Sequence, residues 1–429
     1  MQLAHVAGIV TATATATAFA LLTTTSLAFA DEEPASPAPA TEPETVPAEA
    51  TPAGPAEPIE PPKSSSNITG RASAEVGGYL DSTATSVLTP SIAATVENAT
   101  SGWGVSGRYL VDVVSAASPD IVSTASPRWV EVRNAGNLGF RYKPGTFGIA
   151  ASANTSYTPD YLSLSGNAQL TQELDEKNLT LVAGYGFGHD VIGRARTPFS
   201  VFSRTLDYHS ISLGMSRVVN PSTVIGVYAD TVIERGDQSK PYRYIPVFSP
   251  DVAASIPRGA SASRVAVTRM NARPLEQLPL ERERLGLTVR LAYRGNSTTL
   301  RLEERGYADT WGQRASTTDV RYFIDVSRRF TIWPHARFNI QNAVAFWQRA
   351  YASTGLRDLP ALRTGDRELG ALFTVGGGGG MRIALGKEGA LEEIALTTTF
   401  DGFYTSFADA LYVTERFSML VTTGLEVTF

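Results

Sequence analysis

Charged side chains alternate with apolar ones in many segments of this 429-residue chain. Glu131, for example, lies between Val130 and Val132, and Arg133 follows Val132. A period of two is that of a β-strand, so the charges of each segment share one face of a sheet. The charged residues predicted to lie on this face are Arg108, Asp112, Glu131, Arg133, Arg141, Asp230, Arg290, Arg301, Glu303, Arg305, Asp319, Arg321, Asp325, Arg337 and Glu426.

A face of this kind supports two kinds of chemistry. As the wall of a water-filled pore, it would select polar solutes, although its mixture of signs argues against strong ion selectivity. As a set of ion pairs reaching across a lumen, it would fill and stiffen a closed barrel. The residues alone leave both possibilities open.

Few residues are candidates for catalysis. His189-Asp190 lies in a predicted loop and Asp207 with His209 at a predicted strand start, where a hydrolase at a barrel rim would need a histidine beside a nucleophile. No serine or metal ligand is identifiable as their partner, and adjacent residues on a strand point in opposite directions. We therefore expect no enzyme and no cofactor.

Metal binding is equally weakly supported. Asp112 and Asp120 carry the oxygen ligands that calcium prefers, but two carboxylates without a fixed spacing do not define a site. The chain has no cysteine, which excludes a disulfide scaffold, a cysteine–zinc site and a lipoprotein cysteine. We expect no metal.

The elements that must position the charges are sixteen segments with period two. They span 70–80, 87–97, 102–114, 129–142, 146–157, 161–172, 178–188, 207–219, 223–234, 282–294, 298–307, 317–328, 330–341, 369–385, 391–404 and 411–429. Most have 10–14 residues, long enough to cross the hydrocarbon of a membrane as tilted strands. A sheet in lipid must close on itself, so the sequence predicts an all-β transmembrane antiparallel barrel of about sixteen strands. The glycine run 376–380 is the one place where a kink or break is expected.

The lengths of the connections support an even number of strands. Every second one is short, and these are Asn98–Ser101, Lys143–Gly145, Glu173–Lys177, Asn220–Ser222, Gly295–Ser297, Arg329–Phe330 and Gly386–Gly389. The alternate set includes the longer Ser115–Pro127, Gly188–Arg204, Gly236–Pro279 and Gln348–Asp366. Short periplasmic turns opposite longer external loops are typical of bacterial outer-membrane barrels.

The beginning of the chain predicts export. Residues 1–30 form an apolar Ala/Thr-rich run that ends in Ala28-Phe29-Ala30, which indicates a secretory signal peptide. Residues 31–66 contain ten prolines and eight acidic residues against Lys63, a composition that predicts a disordered periplasmic tether. Residues 67–429 would form the barrel. Nothing indicates nucleic-acid binding, because no basic cluster is interleaved with aromatic residues.

Two further segments suggest partners. The last strand ends on Phe429, a position predicted to act as the signal for the barrel-assembly machinery. The loop 236–279 has six prolines and six basic residues. It either folds inward as a positively charged constriction or stays outside as a loop that meets lipopolysaccharide or a protein.

A resemblance narrows the family. The run from Tyr109 to Pro127, followed by Glu131 and Arg133, is similar to a motif of a family of uncharacterised bacterial outer-membrane β-barrel proteins, a domain of unknown function. Residues 188–194, 220–223, 240–244 and 307–312 resemble later landmarks of that family. The resemblance implies fold and location, and it supplies no catalytic residue.

The expectation is thus a Gram-negative outer-membrane barrel with a porin-like lumen and a periplasmic N-terminal tether. Its most direct function would be a diffusion channel or transporter for small polar solutes. The alternative is a closed barrel that acts as a scaffold in a cell-envelope complex, with a protein partner bound through 31–66 or 236–279. Beyond membrane lipid and lipopolysaccharide, the sequence names no solute, partner or oligomeric state.

Overall fold

The computed structural model describes residues 68–118, 123, 129–355, 357–388 and 391–429. The predicted signal peptide and tether lie outside these residues. Sixteen long strands form one closed antiparallel barrel, and two short strands pair outside it. The barrel, its strand number and its antiparallel pairing confirm the predicted fold class.

The barrel strands are β1 Ile68–Asp81, β2 Thr85–Asn98, β3 Trp103–Ala116, β4 Trp129–Tyr142, β5 Phe147–Thr158, β6 Tyr161–Leu174, β7 Leu179–Ile192, β8 Arg204–Asn220, β9 Thr223–Gly236, β11 Glu281–Arg294, β12 Thr298–Asp309, β13 Arg314–Ser327, β14 Phe330–Gln341, β16 Leu372–Glu388, β17 Leu391–Phe407 and β18 Glu415–Thr428. The loop elements are β10 Val247–Phe248, α1 Pro250–Ser255, α2 Ala262–Thr268, β15 Tyr351–Ala352 and a 3₁₀ turn Arg367–Leu369.

The first and last strands close the barrel. Eleven residue pairs join β1 to β18, from Arg71 opposite Thr428 to Asp81 opposite Ser418. The seam ends on Phe429, whose backbone N–H donates to Gly70 O at 2.8 Å while the Gly70 N–H donates to Phe429 O at 2.7 Å. Closure gives each of the sixteen barrel strands two neighbours, so the barrel itself has no open sheet edge.

The outer surface of the barrel is apolar. Alternate residues of each strand carry large hydrophobic side chains that remain exposed, such as Leu138 at 68% and Ile92 at 61%. In water such a belt would be strongly unfavourable, whereas in hydrocarbon it is the favourable surface. The fold is therefore that of an outer-membrane β-barrel.

The glycine run does not interrupt the sheet. Gly376–Gly380 lies inside the continuous strand β16 and pairs with both β14 and β17. At Gly380 an added Cβ would come 2.2 Å from the ring of Trp333, and at Gly378 it would come 2.0 Å from the Phe400 carbonyl oxygen. The absence of side chains is what allows close packing here, and the predicted possibility of a break was wrong.

Candidate functional site: the lumen wall and the outer cap

The predicted charged face is the inner face of the barrel. The cross-strand register aligns Arg290, Glu303, Asp319 and Arg337 in one row, and Arg301, Arg321 and His335 in the next. All of the predicted residues fall on the inward positions, namely Arg108, Asp112, Glu131, Arg133, Arg141, Asp230, Arg290, Arg301, Glu303, Arg305, Asp319, Arg321, Asp325, Arg337 and Glu426. Whether they line a conducting pore stays a prediction.

The ion pairs of the lumen run along its wall. Arg133 contacts Asp112 on the adjacent strand at 2.5 Å, and Arg305 contacts Asp230 two strands away at 2.7 Å. Among the described residues, such ion pairs between lumen-facing side chains join neighbouring or next-but-one strands, or lie within one strand as Arg321 and Asp319 do at 3.3 Å. The side chains thus lie against the wall, as in a lined channel, and this arrangement differs from the cross-lumen pairing that the sequence also permitted.

Charge is distributed unevenly around the lumen. The inward positions of β11–β14 hold eight arginines and four carboxylates. Away from the strand ends, the inward positions of β5–β8 carry serine, asparagine, glutamine, threonine, valine, alanine, glycine and Tyr208. Their inward charged residues, Glu173, Asp190 and Arg204, lie within the three terminal residues of a strand. The lumen therefore has one basic wall and one neutral polar wall.

His335 is the central polar residue of the basic wall. Its Nδ1 lies 2.6 Å from Asp401 Oδ1 and its Nε2 lies 2.8 Å from Asp319 Oδ2. Ionised carboxylates only accept hydrogen bonds, so two such partners are satisfied when both ring nitrogens carry a proton. The period of two in 330–341 puts His335 on the inner face, but no sequence pattern predicts its contact with Asp401, which lies 66 residues away.

The end of the barrel with the longer connections carries a folded structure that we call the outer cap, formed by residues 237–280 and 342–371. The two loops pair through β10 and β15, which are parallel, and through a single bridge between Gln277 and Arg363. A second bridge, between Tyr244 and Leu275, lies within the first loop. Phe248, Ile256 and Val265 form a core with exposures of 0–2%. The predicted loop 236–279 is thus an ordered part of a two-loop domain.

An ionic cluster is buried inside the outer cap. Arg243 Nη1 lies 3.1 Å from Glu276 Oε1 and 3.4 Å from Asp366 Oδ2, and the three side chains are 1–5% exposed. Thr364 Oγ1 donates to Glu276 Oε1 at 2.7 Å, and the Lys240 backbone N–H donates to Glu276 Oε2 at 3.0 Å. One arginine therefore bridges two carboxylates, one from each loop, and this contact locks the loops together.

Burial also changes the acid–base properties of the cap. The pKa of Lys240 is lowered, because desolvation and the nearby Arg243 disfavour its charge more than Glu276 favours it. Burial raises the pKa of Tyr351 to about 12. The Tyr351 hydroxyl donates to Phe346 O at 3.1 Å and accepts from the Thr364 N–H at 2.9 Å, so it too joins segments of the cap.

The outer cap reaches the rim of the barrel at several places. Tyr244 Oη donates to Ser123 O at 2.7 Å, and the Gly259 N–H donates to Ala410 O at 3.1 Å. Trp311 packs with Leu278 and Val344. Further rim contacts join Tyr242 to Asp160, Arg416 to Glu368 and Arg367 to Thr83. The outer cap thus contacts six connections or strand ends around the rim of the barrel.

The structure corrects the placement of His189. The residue lies inside strand β7 and not in a loop, with its side chain outward and that of Asp190 inward and buried. His189 Nδ1 lies 2.6 Å from Asp207 Oδ1, so it has a partner that sequence analysis did not find. His209 also lies on the outer face, where its Nδ1 is 2.8 Å from Tyr185 Oη.

The calcium hypothesis finds no support at Asp112. This residue is 3% exposed and is occupied by Arg133 and by Thr89 Oγ1 at 2.5 Å. Asp120 lies outside the described residues. Within the described ranges, no group of three or more His, Cys, Asp or Glu side chains is arranged to hold a metal ion. In the same part of the chain, no helix is long and apolar enough to cross a membrane.

Comparisons with known proteins identify a family. A family model described as "Protein of unknown function (DUF3570)" matches residues 65–394. A search of curated proteins found no match. Sequence analysis had indicated such a family from the motif that begins at Tyr109.

Solved structures with a similar shape are barrels. The siderophore receptor PirA from Acinetobacter baumannii has a TM-score of 0.35 and 10% identity, covering 79% of this chain and 53% of that one. CdiB from Acinetobacter baumannii has a TM-score of 0.44 and 8% identity, covering 85% and 60%. A bacterial polysaccharide outer membrane secretin has a TM-score of 0.43 and 8% identity, covering 84% and 97%. The chain thus spans little more than half the length of the first two, and no function follows from such distant likenesses.

Proposed function

This chain belongs to the DUF3570 family of proteins of unknown function, and we propose that it is an outer-membrane channel for small polar solutes with a mouth narrowed by the outer cap. The solutes cross along the polar lumen wall. The cap limits the size of the solutes that pass, and it must move for larger solutes to pass.

The arrangement of the lumen charges carries this proposal. Arg133–Asp112, Arg290–Glu303 and Arg305–Asp230 pair along the wall, at 2.5–2.7 Å. Such pairs neutralise the charges of the inner face without bridging the lumen. Sixteen strands enclose a space wide enough for an aqueous path. Because the charged side chains form ion pairs along the wall, the centre of the lumen stays open to water and solutes.

Location and orientation belong to the same proposal. The apolar belt requires a bilayer, and strand parity puts the N-terminal side of β1 with the short turns, which face the periplasm in bacterial barrels. Residues 31–66 would then extend into the periplasm, and the outer cap would meet lipopolysaccharide. Phe429 at the closing seam would be presented to the barrel-assembly machinery.

Solute uptake by proteoliposomes tests the function. We expect liposomes that contain the purified barrel to swell in small neutral sugars and more slowly as the sugar becomes larger, because the cap limits the passage. Empty liposomes and liposomes with heat-denatured protein serve as controls. Swelling no faster than in these controls, for sugars of every size, would contradict the proposal.

A scaffold role is the second candidate, and the outer cap favours it. The cap has its own apolar core around Phe248 and presents the exposed Val267, at 81%, on α2. A folded external surface of this kind suits a protein partner in the envelope. Mild cross-linking in native outer membranes, followed by purification, would give a stoichiometric partner if this role holds, and the barrel alone if it does not.

A further inference from the structure

We propose that the lipid-facing surface of β12 and β13 is the interface of a homodimer, in which a second copy of this chain covers Glu304. This residue lies at an outward position of β12, opposite Val289 of β11 and Thr318 of β13. It is the seventh of the twelve residues of the strand and is exposed. On the described strands, every other Asp, Glu, Lys or Arg at an outward position lies within the four terminal residues of a strand.

Glu304 lies inside the apolar belt and not at its edge. Beyond it toward the outer end of the barrel, Leu287 and Leu285 of β11 are 52% and 58% exposed. On the other side, Ile340 of β14 lies opposite Ser316 and is 48% exposed. The carboxylate therefore faces hydrocarbon, where an ionisable group is costly unless it is paired or covered by protein.

Two hydroxyl groups hold Glu304 in this position. Ser316 Oγ donates to its Oε1 and Thr318 Oγ1 donates to its Oε2, both at 2.5 Å. The carboxylate is thus held across β12 and β13 and does not extend along the strand toward the lipid headgroups. Each carboxylate oxygen can accept a further hydrogen bond, so the group keeps the capacity to bind a cation from outside its own chain.

The surface around Glu304 has the shape that two barrels in contact need. Gly306 and Ala308 follow it on the outward face of β12, and an added Cβ at Gly306 would meet only the Leu287 carbonyl oxygen, at 4.0 Å. The flanking strands β11 and β14 carry large apolar side chains instead. Two convex barrels approach most closely along one line and diverge on either side. Small residues permit the close approach, and large ones fill the space beside it.

Charge complementarity identifies the occupant as a second copy. Arg314, at the outer end of β13, is exposed on the same face and has no ion-pair partner among the described residues. A twofold axis along the membrane normal keeps every residue at its depth in the bilayer and puts β12 of each copy opposite β13 of the other. The face then presents an acid and a base to itself. Arg314 of each copy supplies the cation that Glu304 of the other copy lacks.

Single-cysteine cross-linking in native outer membranes tests the interface, because the chain has no cysteine of its own. Gly306→Cys adds a thiol within the face and leaves Glu304 and its two hydroxyl partners unchanged. Gly136→Cys is the matched control, at a lipid-facing glycine of β4 that lies seven strands away in the ring of sixteen. Because a disulfide needs closely spaced Cα atoms, mild oxidation should give a reducible dimer of the Gly306→Cys variant with at least about ten times the yield of the control.

Analytical ultracentrifugation of the purified full chain in mild detergent tests the charge contact. We expect a wild-type dimer whose dissociation constant rises by at least about tenfold in Arg314→Glu, because like charges then face each other. Arg217→Glu changes another outward arginine, near the opposite end of β8, and should leave the dissociation constant unchanged. Heat-modifiable migration shows whether each variant is a folded barrel.

Several results would overturn the inference. These are equal yields for the two cysteine variants, a cross-link from Gly306→Cys to a different protein in place of the dimer, a wild type that sediments as a monomer, or an unchanged dissociation constant in folded Arg314→Glu. The interface is independent of the proposed channel function. Sugar uptake by a monomer would refute only the dimer, and a dimer without uptake would refute only the channel.

Discussion

Replacing Arg243 with methionine should loosen the outer cap. Methionine keeps much of the volume of the side chain but leaves Glu276 and Asp366 as buried carboxylates without their shared cation, which lies 3.1 and 3.4 Å away. Removing one partner of a buried ion pair costs about 3–5 kcal/mol. Since about 1.4 kcal/mol is a factor of ten, the population of open caps should rise by roughly two to nearly four orders of magnitude.

Hydrogen exchange of cap amides followed by mass spectrometry measures this opening. The Gln277 N–H donates to Arg363 O at 3.0 Å and the Ser353 N–H to Phe248 O at 2.8 Å, so both amides exchange when the two loops separate. Exchange in the peptides that contain them should accelerate in the variant by the factor above. Strands of the barrel wall should keep their protection.

Two variants control this prediction. Arg349→Met removes a pair with Asp409 whose side chains are 27% and 51% exposed, so its effect should stay below about 1 kcal/mol. Adding Glu276→Gln to Arg243→Met removes one stranded carboxylate and should slow the exchange again. Cap exchange in Arg243→Met that equals that of Arg349→Met would refute the assignment of the buried cluster as the lock.

Three other predictions follow from single contacts. Tyr351 has a raised pKa of about 12, and its protonated form stabilises the cap, so cap stability should be intact below about pH 10 and fall as the pH rises toward 12. Over this pH range, cleavage of the cap by subtilisin should increase more steeply in the wild type than in Tyr351→Phe. Equal slopes in the two proteins would count against this role of Tyr351. Gly380→Ala should push a methyl group into the Trp333 ring and lower barrel stability by about 1–3 kcal/mol. Gly78→Ala should leave the stability unchanged, because nothing lies within 4 Å of the added Cβ. The temperature of the heat-modifiable gel shift measures the stability of both variants, and equal shifts in the two would contradict this prediction. Phe429→Ala removes the ring that covers Gly70 at the closing seam and should lower the yield of folded barrel in the outer membrane; an unchanged yield would show that the residue is dispensable for assembly.

The strands were predictable because their signal is local. Alternation alone placed β4 at 129–142 and β14 at 330–341, the bounds that the structure shows. It also assigned the inward face, since a period of two fixes the side of every residue once one side is known to meet lipid. His189 was misplaced because the strand β7 continues to Ile192, beyond the glycines that resembled a loop start.

The outer cap was not predictable in the same way. Its buried ionic cluster joins Arg243 to Glu276, 33 residues away, and to Asp366 in a different loop. No periodic pattern in the sequence predicts such a contact. The six prolines and the basic residues of 236–279 are equally compatible with an extended loop. The contact of Glu304 with Ser316 and Thr318 likewise depends on strand register, which follows only when hairpin lengths are fixed.

If the barrel conducts and the outer cap limits conduction, single-channel recording in planar lipid bilayers should detect both properties when the wild type and Arg243→Met are measured side by side. We expect discrete conductance steps for the wild type, and larger or more frequently open steps for Arg243→Met, in which the cap is no longer held by the buried cluster. A folded barrel that inserts into the bilayer but shows no steps, with the cap locked or unlocked, would contradict conduction through this barrel.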